Sequence, residues 1–318
     1  MSFVKVLARR VLESNVRKLE QPDIWKLYHL VHFYKGFGIK GDQTFGDIPD
    51  QKTPLKEQYR IVHKHVQQQV QDSLIVYNHD GTVGSTTGSI AVQPRPCTEN
   101  MKIPGVLVEA GHILPGAFVC FFPGKIYVPS QLREIPGYPD ITHDNHYLMA
   151  RTDGSIIDAK DHISSEGNPL AVGHLIRHPP NGTSPNVMPF SFDISAGFPI
   201  DLLPLVPNIY HRKPGFLFSS RRVLLRTIVF VATEHIRKGE ELFLNYRLHP
   251  ESTVPDWYSR VDGNTDNRRI CWQKKVPLDV SQDTRHSYFG LWGFYLTCIQ
   301  RSSITINYLT MLLTLTDT

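Results

Sequence analysis

Between about Gly105 and Tyr246 the apolar residues arrive in short runs, rich in Val, Ile and Phe, that glycine and proline keep interrupting. Val106-Leu107-Val108, Ala117 to Phe122, Ile126-Tyr127-Val128, Ser155 to Asp158, Phe190-Ser191-Phe192, Ile228 to Val231 and Leu242-Phe243-Leu244 are the clearest of them. Each is too short for a helix, and its β-branched and aromatic residues suit a pleated, half-buried surface. Frequent turn residues prevent one long sheet, so the stretch predicts a mainly β domain of several small sheets.

Upstream the period changes from two to about 3.6. Pro22 and Asp23 mark a helix start, and Ile24, Leu27, Tyr28 and Val31 then share one face. Leu55, Tyr59, Val62, Val66 and Val70 mark another helix, whose Gln67 to Gln69 run reads as a solvated face. Gly36 to Pro54 reads as a loop, and Asn78 to Thr98, rich in Gly, Ser, Thr and Pro, as a linker. Residues 1–18 carry Lys5, Arg9, Arg10, Arg17 and Lys18 against Glu13, on helical spacing. They read as a basic surface helix, with a mitochondrial presequence as the alternative. The predicted class is α+β, divided into a helical region with linker at 1–100, a β-rich domain at 101–249 and an extension at 250–318.

Composition narrows function by exclusion. Cys97, Cys120, Cys271 and Cys298 are far apart, without a C-x-x-C pair, which argues against a structural zinc or a disulfide framework. A net charge of +4 in 318 residues gives no argument for nucleic acid unless it is clustered. Arg221, Arg222 and Arg226 form only a small basic patch that reads as solvated. The apolar stretch Tyr288 to Thr316 is split by Gln300-Arg301-Ser302-Ser303, so no membrane span is expected. Asn181-Gly182-Thr183 matches a glycosylation acceptor but has no signal peptide to accompany it. The expected protein is an intracellular monomer of nucleus or cytoplasm. His174 and His178 stand four apart but lack the glutamate of a zinc protease, and no Walker loop, nucleophile elbow or dinucleotide fingerprint occurs.

Four segments, in order, carry a resemblance. They are Gly105 to Ala117, with Gly105 opening a strand and Ile113-Leu114-Pro115-Gly116 a turn; Phe121-Phe122-Pro123-Gly124-Lys125-Ile126-Tyr127; Asp153 to Ala159 continued by Gly167-Asn168-Pro169-Leu170-Ala171, Ile176-Arg177-His178 and Pro185-Asn186-Val187; and Ile236-Arg237-Lys238-Gly239-Glu240-Glu241-Leu242-Phe243-Leu244-Asn245-Tyr246. Together they resemble the SET-domain methyltransferase family, whose pattern reads "I-D-A … G-N … I-N-H-S-C-x-P-N" and then "I-x-x-G-E-E-L-x-x-D-Y". The chain departs from that pattern at several points. Pro104 precedes Gly105 where the family prefers Gly-x-Gly, Phe122 replaces a tyrosine, Arg177 an asparagine, Pro179 a serine and Asn245 an aspartate. A few residues are inserted before Pro185, and no zinc-binding cysteines follow the domain.

The resemblance implies a SET fold with a pseudoknot-like crossing and transfer of a methyl group from S-adenosylmethionine to a lysine of a protein, histone or otherwise. It implies Tyr246 as the catalytic tyrosine. Pro104 and Gly105 would give backbone contacts to the methionine part of the cofactor, and His178 would lie against it. Arg177 either meets the cofactor carboxylate or points away. Trp257 either stacks on adenine or packs on the domain. Phe122 and Tyr127 read as core. The altered motif positions motivate a second reading, a SET-fold binding module without catalysis.

Overall fold

The computed structural model describes residues 21–32, 53–80, 84–85, 88–89, 91–95, 105–141, 145–162, 168–213, 223–248 and 255–261. The basic segment 1–18, Pro104, Arg221, Arg222 and the apolar stretch 288–316 lie outside the described residues. Helix α1 (residues 21–32) buries Ile24, Leu27, Tyr28 and Val31, the predicted face, together with Leu30. Helix α2 (Leu55–Asp80) buries Val62, Val66 and Val70 and extends the stripe to Leu74.

The strands are short, as the interrupted runs require. They are β1 (Gly84–Ser85), β2 (Gly88–Ser89), β3 (Ala91–Arg95), β4 (Gly105–Ala110), β5 (His112–Ile113), β6 (Phe118–Phe122), β7 (Gly124–Tyr127), β8 (Leu148–Ala150), β9 (Ile156–Asp158), β10 (Val187–Ser195), β11 (Asn208–Tyr210), β12 (Val223–Ala232) and β13 (Ile236–Arg237). They pair as β10-β12-β6, β11-β7-β9-β8 and the two-stranded β3-β4, β13-β5 and β1-β2. All pairings are antiparallel except β11 with β7. The architecture is the mixed one expected, several small sheets with helices at the N-terminal end, and it is consistent with a SET fold.

Three sequence expectations are corrected. The described residues within Asn78 to Thr98 hold regular structure: the end of α2, and β3, which pairs along β4 from Ala91↔Ala110 to Arg95↔Gly105. Composition suggested a loop because Gly and Pro weaken a strand, but Pro94 sits on a two-stranded ribbon whose other edge needs no ladder partner. Nor is residue 100 a packing boundary, since α1 and α2 share one continuous core with Val106, Phe121, Phe230 and Leu242. Arg226 is also no solvated patch. Its guanidinium pairs with Asp153 at 3.2 Å, beside the buried Arg151, which donates to Asp193 at 2.6 Å.

Gln69 departs from expectation in the same way. One helix closes both edges of the three-stranded sheet. Tyr59 Oη donates to Ser191 O at 3.1 Å, and the His63 imidazole lies 2.8 Å from Asp193 O on edge strand β10. Two turns on, Gln69 Oε1 accepts the Phe118 N–H of the opposite edge strand, β6, at 2.5 Å. Open strand edges are otherwise templates for unwanted pairing.

Gln69→Leu, which keeps the bulk and leaves the Phe118 amide buried without an acceptor, is expected to lower stability by about 1–3 kcal/mol. Gln68→Ala, on the exposed side of α2, should stay within about 0.5 kcal/mol. Urea midpoints of the two variants check this, and equal midpoints would return Gln69 to the solvated face.

Candidate active site

The segment following β13 makes only isolated bridges, at Leu107↔Glu241, Arg177↔Phe243 and Val187↔Leu244, yet its backbone is held from two sides. On one side Val108 N donates to Glu240 O at 3.0 Å and Leu242 N to Val106 O at 2.8 Å, tying it to β4. On the other, Leu244 N donates to Arg177 O at 2.8 Å, and Asn186 N and Val187 N donate to Phe243 O at 3.1 and 3.2 Å. The Asn186 side chain completes the clamp. Its Nδ2 donates to Glu241 O at 2.7 Å and its Oδ1 accepts Phe243 N at 2.8 Å. A segment near the end of the described chain is thus laid between β4 and the loop 176–187. The apolar alternation reads the same way, with Leu242 and Leu244 in the core.

This crossing delivers two groups of side chains. At its start, Glu241 forms a forked pair with Arg177, Nε to Oε1 and Nη2 to Oε2 both at 2.7 Å. The pair lies on the Cα face of Gly105, where any Cβ would overlap the Glu241 carboxylate and stand 3.1 Å from Arg177 Nε. Gly105 is therefore required for the close approach of this ion pair. Glu241 carried no role in the sequence reading; the doubled glutamate of Gly239-Glu240-Glu241 was the only signal for it.

At its end stands Tyr246. Its hydroxyl donates to Ile176 O at 3.0 Å, and its own N–H donates to His178 Nδ1 at 3.3 Å. With Nδ1 accepting, Nε2 carries the imidazole proton and donates to Ser259 O at 2.7 Å. His178 is thereby a neutral strut between Tyr246 and the 255–261 segment. Its ring stacks on Tyr258 at 4.4 Å. Trp257 closes the group, 6.1 Å from the Tyr246 ring and edge-on to it, and 56% exposed. Phe122 and Tyr127 are core.

Burial raises the Tyr246 phenol well above its ordinary range, against a smaller lowering by the nearby Arg177 charge. The phenol is therefore neutral at any physiological pH. With its proton committed to Ile176 O and the His178 backbone N–H directed at its oxygen, the phenol has acceptor capacity left for one further donor. Tyr147, also not foreseen, lies close enough to add to that upward shift, and its ring meets His174 edge-on at 5.9 Å. Gly173 permits this wall to sit tight, because a Cβ there would overlap the Phe230 ring. Among the described residues no group of three or more His, Cys, Asp or Glu could hold a metal ion, and no helix is long and apolar enough to cross a membrane.

No family model matches the chain. It is 31% identical over 169 residues to SET domain-containing protein 9 of Homo sapiens, covering 45% of this chain and 53% of that protein. The same protein of Pongo abelii matches at 31% over 169 residues, with 58% of it covered. The chain thus spans little more than half the length of these curated relatives. Among solved structures, one described as ctPRC2 in an autoinhibited conformation bound to S-adenosylmethionine aligns with a TM-score of 0.31 and 20% identity, over 57% of this chain and 18% of that one; at that distance it carries no argument. The matches in sequence support the SET-domain family that the four motifs resemble.

His174, beside the site, supplies a pH test. Burial first, and then the charge of His162, lower its pKa to about 4. An imidazole depressed in the folded state adds stability that is whole above its unfolded value of about 6.5 and is lost as pH falls toward the folded value. Its Cε1 proton is expected to titrate near pH 4 by NMR, and His174→Phe to flatten the acid side of the stability profile. A midpoint near 6.5 would contradict the burial of this ring.

Proposed function

We propose, from a chain similar in part to SET-domain proteins, that it is an S-adenosylmethionine-dependent protein-lysine N-methyltransferase. The observation that carries the reading is the crossing segment Glu241 to Tyr246, which holds a charged pair at one end and a neutral phenol at the other.

The charges at Gly105 fit the amino-acid end of the cofactor. A guanidinium can donate to its α-carboxylate and a carboxylate can accept from its α-ammonium. Arg177, Glu241 and the backbone at Gly105 would hold that end, with Trp257 offering an open aromatic face at the other rim. When bound, S-adenosylmethionine supplies an electrophilic methyl carbon on a sulfonium. The substrate amine must arrive without its extra proton, since a lysine ammonium, with pKa about 10.4, has no lone pair to give. A desolvated approach lowers that pKa. The Tyr246 oxygen then accepts one amine N–H and aims the nitrogen lone pair, which is a task of alignment. The methyl would pass to that lone pair, the sulfur keeping the C–S electrons as a thioether, and the nitrogen would carry the positive charge as a methylammonium until it lost a proton to water. The partner is a protein bearing a lysine, histone or non-histone, met by a monomer in nucleus or cytoplasm.

A second reading, a SET-fold binding module, has one observation in its favour. Arg177 and Glu241 already satisfy each other on the face of Gly105. Calorimetry with S-adenosylmethionine separates the two, because a folded sample that binds none of it supports the module.

For the enzyme reading, transfer of labelled methyl to lysine peptides is expected to fall about 10²-fold in Tyr246→Phe, with cofactor affinity kept. Undiminished transfer in that variant would remove Tyr246 from the role.

A further inference from the structure

We infer that helix α1 is a working part of the site, and that Asp23 is a positioning residue for Tyr246, acting through Arg247. Arg247 follows Tyr246 directly and is 4% exposed, with a backbone φ of 47°, the only non-glycine residue of positive φ among those described. Its guanidinium is forked onto Asp23, Nη1 to Oδ2 at 2.6 Å and Nη2 to Oδ1 at 2.9 Å, and Asp23 is itself 6% exposed. The partners are 224 residues apart. Asp23 lies in the first turn of α1, where a carboxylate is favoured by the helix dipole.

A left-handed backbone at an arginine persists only where its surroundings over-determine it. Two contacts besides the ion pair do so. Asn245 Oδ1 accepts the Arg247 N–H at 3.1 Å, and Tyr258 Oη accepts the Leu248 N–H at 3.2 Å. The tyrosine is thus gripped on both flanks, by His178 and Ile176 before the turn and by Asp23, Asn245 and Tyr258 after it. Of these only Asp23 comes from the N-terminal helices, outside the four motifs. Helix α1 is in turn fixed to the core through Ile24, Leu27 and Leu30, so Asp23 has little freedom to follow a displaced arginine.

Neutralising Asp23 removes the carboxylate that is forked onto a buried guanidinium. Such a group leaves toward water, relaxing the positive φ and carrying the adjacent residue with it. A pair serving stability alone would change the melting temperature without moving the Tyr246 ring. A positioning pair moves the ring, and slows turnover more than it weakens cofactor binding.

The test uses the full chain with 3-fluorotyrosine incorporated, the Tyr246 resonance being assigned by its loss in Tyr246→Phe. In Asp23→Asn the ¹⁹F signal of Tyr246 is expected to shift or broaden, while that of Tyr127, in the separate small cluster with Leu132 and Ile135, stays in place. The activity arm rests on the methyl-transfer reading: kcat falls at least tenfold and KM for S-adenosylmethionine changes less than twofold. If Asp23→Asn fails to fold, Asp23→Asn/Arg247→Gln removes both charges and the fork that holds the positive φ, places at 247 a residue that disfavours left-handed backbone, and is read the same way. An unmoved Tyr246 resonance in a folded variant overturns the inference whatever the activity. A wild-type chain that transfers no methyl overturns the proposed function and leaves the resonance to decide the inference alone.

Discussion

The structure depends on one segment being hydrogen-bonded from both sides. Glu240 O, Leu242 N, Phe243 O and Leu244 N all have backbone partners, divided between β4 and the loop that carries Arg177 and Asn186. Sliding the segment by one residue would break these bonds together and turn Leu242 and Leu244 out of the core. Register is therefore set by burial, and it fixes Glu241 at Gly105 and Tyr246 at Ile176. Asn186 adds what a third strand would otherwise supply, since one amide side chain serves both a carbonyl and an N–H of the segment. The chemistry of the site follows from this clamp. A phenol whose donor is committed and whose ionisation is suppressed by burial is an acceptor only, and its direction is set by the backbone on which it stands.

The N-terminal helices are part of the same device. α2 ties down both edges of the β10-β12-β6 sheet with side-chain hydrogen bonds, while Val62, Val66 and Val70 fill its face. α1 reaches the turn after Tyr246. A boundary drawn where composition changes, near residue 100, would cut through the core that keeps the crossing in place. Sequence texture marks where secondary structure changes, and packing takes no account of it.

What could be read beforehand and what could not divides along physical lines. Helix faces such as Ile24, Leu27, Tyr28 and Val31, and strands such as Val106 to Val108, follow from periodicity, because burial of a periodic element imposes a periodic pattern. The ordered motifs singled out Tyr246 and Gly105, which stand at the two ends of the crossing segment. Gln69, Asp23 and Arg226 were not. Each is a polar residue on what looks like a solvent face, and its partner lies dozens to hundreds of residues away, at Phe118, Arg247 and Asp153. No local pattern distinguishes a polar side chain that meets water from one that meets a distant amide or charge. β3 was missed for a related reason: a short ribbon strand tolerates Gly and Pro that a central strand would reject.

The departures from the family pattern make sense as a set. An arginine at 177 in place of an asparagine brings a full charge into a partly buried wall, which would be costly alone. Glu241, held in register by the clamp, meets it with a fork of two short bonds, and Gly105 leaves room for the pair. Asparagine at 245 in place of aspartate has a comparable logic. Its neutral amide caps the Arg247 N–H without competing with Asp23 for the guanidinium, which is forked onto the helix that packs behind it. The exchanged residues thus keep the ends of the crossing segment charge-balanced. Any restoration of one family residue has to be judged with its partner: asparagine at 177 would take the forked guanidinium from the partly buried Glu241, so the pair, and not either position, is the unit of the site.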